Sequence, residues 1–107
     1  VISESAFDFY EAKKYMQALE LFGETDTPAG SFYAAQCLLA MGQTNAAMRR
    51  LEKVASMQTD YSDSAKWYLG LAAIKLGKKE EAVTHLNTIS DNIIYEDRVK
   101  SLLAMLE

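Results

Sequence analysis

Two stretches of this chain match each other when one of them is shifted by 35 residues. The shift superposes Gly42 on Gly77 and Leu51 on Leu86. Each stretch has room for two helices, and a repeat of roughly 20–50 residues built in this way is typical of a solenoid. In a solenoid, every helical hairpin buries its apolar face against the next one. The repeat therefore predicts a stack of helical hairpins.

Small residues recur inside the predicted helices at matching positions of the two units. Ala35 and Gly70 are expected to let the second helix of the same hairpin come near. Ala47 and Ala82 are expected to let the neighbouring hairpin pack closely, because larger side chains there would hold the helices apart. Close approach at these four positions is the physical basis of the predicted stack.

Helix-starting and helix-stopping residues divide the whole chain into seven predicted helices and no strands. Pro28 is the only proline, and β-branched residues do not alternate over any stretch. Thr27 is predicted to cap the helix that has Pro28 at its first position. The predicted helices run from Ser3 to Ala12, from the Lys13-Lys14 bend to Gly23, from Pro28 to Met41, from a Thr44 cap past Val54, from Asp60 or Ser62 to Gly77, from Lys79 to Ile89, and from Asp91 or Asn92 to Leu106.

Apolar residues spaced three and four apart mark the faces that these helices are expected to bury. The second helix is expected to carry Met16, Leu19 and Phe22 on one side. The stripe of the last helix consists of Tyr95, Val99, Leu102, Leu103 and Leu106. A polar opposite face makes this helix a candidate cap for the end of the stack.

The two matching units resemble the tetratricopeptide repeat, whose pattern has a Trp and a Leu-Gly pair in one helix and Ala-x₃-Phe in the next. The third unit contains Trp67, Leu69-Gly70 and Ala82-x₃-Leu86, although its Trp lies one place late and Ile94 replaces the terminal proline. The second unit has Phe32 and Ala47-x₃-Leu51, and the first has Ala18-x₃-Phe22. Because Ala47 follows Ala18 by only 29 residues, the first unit is expected to have a shorter second helix or a tighter exit.

This resemblance implies an all-α fold, a right-handed superhelix of about three antiparallel helical hairpins with a C-terminal capping helix. The whole chain, residues 1–107, would form one such domain. The implied units cover residues 3–25, 28–59 and 62–90, and the cap covers residues 92–106.

A narrower resemblance concerns the carboxy-terminal repeat domains of some bacterial single-span envelope proteins. It is carried by the run from Ala65 to Ala72, by the run from Leu76 to Ala82 and by the final Lys100-Ser101-Leu102-Leu103. In those proteins a membrane segment and a linker precede the repeats. The resemblance therefore implies a cut within a longer chain at Val1 and a domain that faces the periplasm, with a cytoplasmic domain as the alternative.

In the tetratricopeptide family, the first helix of each hairpin lines the concave surface. Carried over to this sequence, the resemblance predicts that the following residues contact a partner: Phe7, Tyr10, Glu11, Phe32, Gln36, Leu39, Trp67, Leu71, Ile74 and Lys75. Such an aromatic groove suits an extended peptide or an amphipathic helix. The alternative is that Phe32 and Trp67 occupy the seams between hairpins, or contact the last helix, and bind no partner.

Composition excludes several other classes of function. Eleven basic and 15 acidic side chains argue against a nucleic-acid partner, and no apolar stretch approaches the roughly 20 residues that a membrane span needs. A single cysteine, Cys37, and a single histidine, His85, leave no disulfide and no zinc-ligand cluster. No nucleophile elbow or phosphate-binding loop is present. We therefore expect no enzyme activity, no cofactor and no metal.

Two functions remain open at this point. The first is a protein-interaction module that binds a peptide or a partner subunit in its concave groove. The second is a self-associating structural or spacer domain of a larger envelope protein, which would form homo-oligomers through the apolar ends of the stack.

Overall fold

The structure, a computed structural model, describes residues 4–106, and within them it contains seven α-helices and no β-strand. The predicted all-helical repeat fold is confirmed. Of the helices between residues 4 and 106, none is both long enough and apolar enough to cross a lipid bilayer. The helices are α1 (Glu4–Glu11), α2 (Tyr15–Gly23), α3 (Pro28–Ala40), α4 (Thr44–Ser56), α5 (Ser62–Lys75), α6 (Lys79–Asn87) and α7 (Glu96–Leu106).

Helices α3 and α4, and likewise α5 and α6, are joined by the same glycine turn. Gly42 and Gly77 have φ angles of 78° and 75°, a left-handed conformation that glycine adopts without steric cost. After each glycine, the next backbone N–H donates to a carbonyl five residues back, Gln43 to Leu38 and Lys78 to Ala73, both at 2.8 Å. This is the Schellman arrangement that ends a helix and reverses the chain.

The turn between α1 and α2 has the same hydrogen-bond pattern, but the residue in the left-handed conformation is a lysine. Lys13 has a φ angle of 62°, and the Lys14 N–H donates to the Phe9 carbonyl at 2.8 Å. Lys13 is therefore the counterpart of Gly42. The first unit is shorter because α2 has 9 residues where α4 has 13, so the expectation of a clipped second helix is confirmed.

Buried side chains of the described residues form three clusters along the stack. The N-terminal cluster comprises Ala6, Ala18, Phe22, Ala34 and Cys37. The central cluster comprises Phe32, Ala35, Met48, Leu51, Val54, Ala65, Leu69, Ala72, Ala73 and Ala82. The C-terminal cluster comprises Leu86, Ile89 and Val99, against which Trp67 and Tyr95 pack.

Small residues sit at the close helix contacts, as the repeat predicts. A β-carbon added to Gly70 would lie 2.7 Å from Cδ2 of Leu86, so α5 and α6 approach too closely for a larger residue. Ala35, Ala47 and Ala82 have no exposed surface. The contact at Gly70 confirms the predicted close approach of the two helices in its hairpin, and the full burial of the three alanines agrees with close packing at their positions.

Gly30, near the start of α3, provides a test of close packing between the first two units. Its added β-carbon would lie 2.5 Å from the Thr25 carbonyl oxygen and 3.0 Å from that of Phe22, and backbone atoms cannot rotate away. We expect Gly30→Ala to lower the free energy of unfolding by about 2 kcal/mol, measured by urea denaturation. Gly23, whose β-carbon would meet nothing within 4 Å, is the matched control, and Gly23→Ala should cost nothing. Equal losses in the two variants would contradict this account.

The connection between α6 and α7 differs from the sequence prediction. Helix α6 ends at Asn87 and not at Ile89, since the N–H groups of Thr88, Ile89 and Ser90 donate to carbonyls three residues back instead of four. Helix α7 begins at Glu96 and not at Asp91 or Asn92. The Asn92 side chain accepts the N–H of Ile94 at 2.8 Å, so it closes a local turn before the helix starts.

Two smaller predictions about helix faces and caps are wrong. Met16 is 66% exposed and does not share the buried side of Phe22. The two residues are six positions apart, which at 3.6 residues per turn places them about 120° apart around the helix. Thr44 is the first residue of α4, where it is buried, and Gln43 takes the cap position without a side-chain hydrogen bond.

Candidate partner-binding groove

The first helices of the three hairpins share a groove of about 380 Å³. We call it the concave groove. It is lined by Tyr10, Gln36, Leu39, Ala40, Tyr68, Leu71, Ala72 and Lys75. Five of the ten residues predicted to contact a partner line it, namely Tyr10, Gln36, Leu39, Leu71 and Lys75. The lining contains residues of α1, α3 and α5, so the groove crosses all three repeat units.

The two tyrosines of the concave groove belong to a network of aromatic rings that runs beneath it. The Tyr10 ring lies 6.5 Å from Phe22, and the Tyr68 ring lies 5.8 Å from Phe32. These separations fall within the range in which aromatic pairs attract each other. The network consists of Phe7, Tyr10, Tyr15, Phe22, Phe32, Tyr33, Tyr61 and Tyr68. The groove is thus built on a packed base that ties α1, α2, α3 and α5 together.

The Tyr10 hydroxyl is held in its neutral form. Burial raises the pKa of Tyr10 above its ordinary value of 10.0, and the nearby Cys37 thiol and tyrosine side chains raise this pKa further. At neutral pH the phenol therefore keeps its proton and can both donate and accept a hydrogen bond. It gives the groove a polar group without a charge.

The amide of Gln36 is a second uncharged polar group of the concave groove, beside the tyrosine hydroxyls. Its Nε2 atom is buried and has no hydrogen-bond partner among the described residues. An amide donor that is shielded from water without a partner costs about 1–3 kcal/mol. A ligand that brought an acceptor to this amide would recover that free energy, so Gln36 is a candidate anchor for a polar group of a partner.

Lys75 is the charged member among the described residues that line the concave groove. It lies in the last turn of α5, and its side chain is exposed. Within residues 4–106 it forms no ion pair, so its ammonium group is available to a partner. A single exposed cation adds modest affinity, because solvent and salt screen its charge.

Cys37 packs beneath the groove in the N-terminal cluster. It has no exposed surface, and burial raises the pKa of its thiol to about 11. The thiol therefore stays protonated at neutral pH, and a protonated, enclosed thiol is a poor nucleophile. Among residues 4–106, no group of three or more His, Cys, Asp or Glu side chains could hold a metal ion.

The family of the chain follows from comparison with known proteins. A family model described as the tetratricopeptide repeat matches residues 38–106, which is more than half of the chain. The chain belongs to the tetratricopeptide repeat family. No curated protein sequence matches it.

One solved structure shows the same arrangement of helices as this tetratricopeptide repeat domain. It is the type III secretion chaperone SycD of Yersinia enterocolitica, in complex with a peptide of the translocator YopD. The two structures superpose with a TM-score of 0.84 at 21% sequence identity, over 94% of this chain and 86% of the chaperone chain. At this level of identity the likeness shows a shared fold.

The other five residues predicted to contact a partner lie outside the lining of the concave groove. Phe32 is 7% exposed and belongs to the central cluster, against which the half-buried Ile74 packs. Phe7 contacts the rings of Phe22 and Tyr33 at 5.1 and 5.0 Å. These three residues support the tetratricopeptide stack from within. The remaining two are Glu11, which is exposed at the end of α1, and Trp67.

Trp67 lies on the side of α5 that packs against Tyr95 and helix α7. Its ring stacks on Tyr95 at 5.7 Å and packs against the C-terminal cluster. The Tyr95 hydroxyl is in turn 2.7 Å from the hydroxyl of Ser64, and the Asn92 amide donates to Asp63 at 2.6 Å. This placement favours the alternative in which Trp67 contacts the last helix and binds no partner.

Sequence reasoning missed three residues of the groove, Ala40, Tyr68 and Ala72. Tyr68 lies seven residues before Lys75, which is two helical turns on the same face of α5. That spacing predicts that Tyr68 lies on the same side of α5 as Lys75, but the family pattern favours the neighbouring Trp67. Ala40 and Ala72 carry no chemical signal, because an alanine side chain has neither a polar group nor a large apolar surface.

Proposed function

We propose that this domain is a protein-interaction module that binds an extended peptide segment of a partner protein in the concave groove. The observation that carries the proposal is the groove itself, which joins one face of α1, α3 and α5 and is lined mostly by apolar and aromatic side chains. Grooves of this kind gain most of their affinity from buried aromatic contacts.

The side chains of the groove fit the parts of a peptide chain. Leu39 and Leu71 offer apolar contacts for alternate side chains, and the unpaired amide of Gln36 can donate to a peptide carbonyl. The groove crosses α1, α3 and α5, so a ligand that fills it is expected to be an extended segment of several residues.

The structurally similar chaperone SycD supports the same class of ligand, since it was solved with a peptide of YopD bound. The support concerns only the class, a peptide segment of another protein.

A charge placed in the groove is expected to abolish this binding. Peptides selected from a random library on the immobilised domain provide the ligand, and calorimetry measures their dissociation constants. We expect Leu71→Asp to raise the dissociation constant at least about tenfold, a loss of about 1.4 kcal/mol, because the carboxylate would be desolvated against apolar peptide side chains.

Leu76 provides the matched control for this variant. It directly follows α5, is 37% exposed and does not line the groove. Leu76→Asp should leave the dissociation constant within about twofold, and circular dichroism should show that both variants are folded. Selected peptides that bind Leu71→Asp as tightly as the original domain would contradict the proposal.

A further inference from the structure

A second groove lies between α3 and α4, the two helices of the second hairpin. It has a volume of about 480 Å³ and is lined by Ser31, Leu38, Ala46, Arg49, Arg50 and Lys53. We call it the basic groove. It shares no residue with the concave groove, so what it binds does not depend on the proposed peptide site.

Helical spacing brings the side chains of the basic groove together. Ser31 and Leu38 are seven residues apart on α3, which is two turns, and both are buried. Arg49 and Lys53 are four residues apart on α4, so they also share one side of their helix, and both are exposed. The basic groove therefore has a floor that contains a leucine and a rim of cations.

The three cations of the basic groove have no counter-charge. Arg49 and Lys53 are exposed, Arg50 is half-buried, and none of them forms an ion pair with a described residue. They lie within about 6 Å along the axis of α4, so their positive charges repel one another. The chain as a whole has a net charge of −4, so this cluster runs against its composition. A bound anion would relieve the repulsion.

Packing of the repeat does not require these positive charges. The 35-residue shift places Thr84 at the position of Arg49, and the first unit has Glu20 at the corresponding place, 29 residues before Arg49. The same 35-residue shift places Thr88 at the position of Lys53. The fold thus accepts neutral and acidic residues at these places, and the cluster of cations is specific to the second unit.

The lining of the basic groove fits the carboxylates of a protein better than the phosphates of a nucleic acid. The three cations span about two phosphates of one strand, and none of the six lining residues is an aromatic on which a base could stack. The exposed Glu52 on α4 would repel a longer polyanion. Guanidinium groups, in contrast, match carboxylates through paired hydrogen bonds, and Leu38 offers an apolar contact between them.

We infer that the basic groove binds an acidic segment of a partner protein. An apolar side chain of the segment contacts Leu38, and the carboxylates on either side of it pair with the three cations of the groove. Because these cations lie at the surface, solvent and salt screen the contact. The affinity should therefore be modest and should fall as the salt concentration rises.

Calorimetry with two short probe peptides tests the inference on the 107-residue chain. The acidic probe is acetyl-Glu-Asp-Leu-Asp-Glu-amide, and the amide probe, acetyl-Gln-Asn-Leu-Asn-Gln-amide, has the same shape without the charges. At about 20 mM salt the acidic probe should bind with a dissociation constant of about 0.1–1 mM, and at about 0.5 M salt it should bind at least about fivefold more weakly. The amide probe should not bind.

Two arginine variants with the same change in net charge locate the binding site. Arg49→Glu should raise the dissociation constant of the acidic probe at least about tenfold. Arg98 is the matched control, because it is exposed on α7, forms no ion pair with a described residue and does not line the basic groove. Arg98→Glu should leave the dissociation constant within about twofold. Circular dichroism should show that both variants are folded.

Four results would overturn the inference. The acidic probe does not bind at low salt, or the amide probe binds equally well. Arg49→Glu and Arg98→Glu weaken binding equally, which would indicate a response to net charge alone. Lys75→Glu abolishes binding while Arg49→Glu does not, which would place the probe in the concave groove. A short oligothymidine binds more tightly than the acidic probe and is lost in Arg49→Glu, which would assign the basic groove to nucleic acid.

Discussion

Replacement of Phe22 by alanine is expected to lower the free energy of unfolding by about 3–5 kcal/mol. Phe22 has no exposed surface, and its ring lies 5.4 Å from Tyr33 in a stacked pair and 5.1 Å from Phe7. It thus joins α1, α2 and α3 at the base of the concave groove. Because a domain of this size is stable by only about 5–15 kcal/mol, this single change should remove a large part of the total.

Urea denaturation measures the effect, and two variants serve as controls. Phe22→Leu keeps an apolar residue at the second position of the Ala18-x₃-Phe22 pair and should cost less than half as much. Met16→Ala, on the exposed side of the same helix, should change the stability by less than about 0.5 kcal/mol. A small loss in Phe22→Ala would show that the aromatic network does not hold the first unit to the second.

Trp67→Ala is expected to destabilise the domain by about 3 kcal/mol while leaving peptide affinity within about twofold. The indole stacks on Tyr95 and packs against Leu86, Ile89 and Val99, so its removal leaves a cavity between α5 and the C-terminal end of the chain. It does not line the concave groove. Thermal unfolding followed by circular dichroism gives the stability, and calorimetry with a selected peptide, below the unfolding temperature, gives the affinity.

Trp67→Phe is the matched variant, since it keeps a ring that can stack on Tyr95 and should recover more than half of the loss. The opposite result, unchanged stability with lost peptide binding, would show that the indole is an exposed anchor of the groove. The two readouts thus separate the two roles that the sequence leaves open for this residue.

The hairpin stack could be predicted because its constraints are local and repeated. Gly42 and Gly77 occupy a left-handed backbone conformation at matching places, and a glycine at a helix end is a strong signal for that turn. Gly70 and Ala82 are small because other helices pack directly against them. Each of these requirements limits the residue types that fit the position, so the requirement can be recognised from the sequence.

The connection before α7 could not be predicted because distant contacts determine it. Asp91 and Asn92 are good helix-starting residues, but the Asn92 side chain bonds to Asp63 at the start of α5 and to the N–H of Ile94. The contact between Asn92 and Asp63 joins residues 29 positions apart. A pattern of caps read along the chain contains no information on such a pair.

The residues that line the concave groove could be predicted in part. Gln36 and Leu71 are related by the 35-residue shift, and both line the groove. Trp67 and Tyr68 are neighbours on α5 and lie on different sides of the helix. Trp67 packs against Tyr95 and the C-terminal cluster, so Tyr68 is the one that lines the groove. The likeness to bacterial envelope proteins stays a prediction.

Amide chemical-shift mapping of the isotope-labelled domain with a library-selected peptide tests the proposed peptide site most directly. The account predicts that the largest shifts cluster on α1, α3 and α5, around Tyr10, Gln36 and Leu71, with little change on α2, α4 and α6. Shifts confined to α6 and α7, or spread over the outer helices, would contradict the assignment of the concave groove as the peptide-binding site.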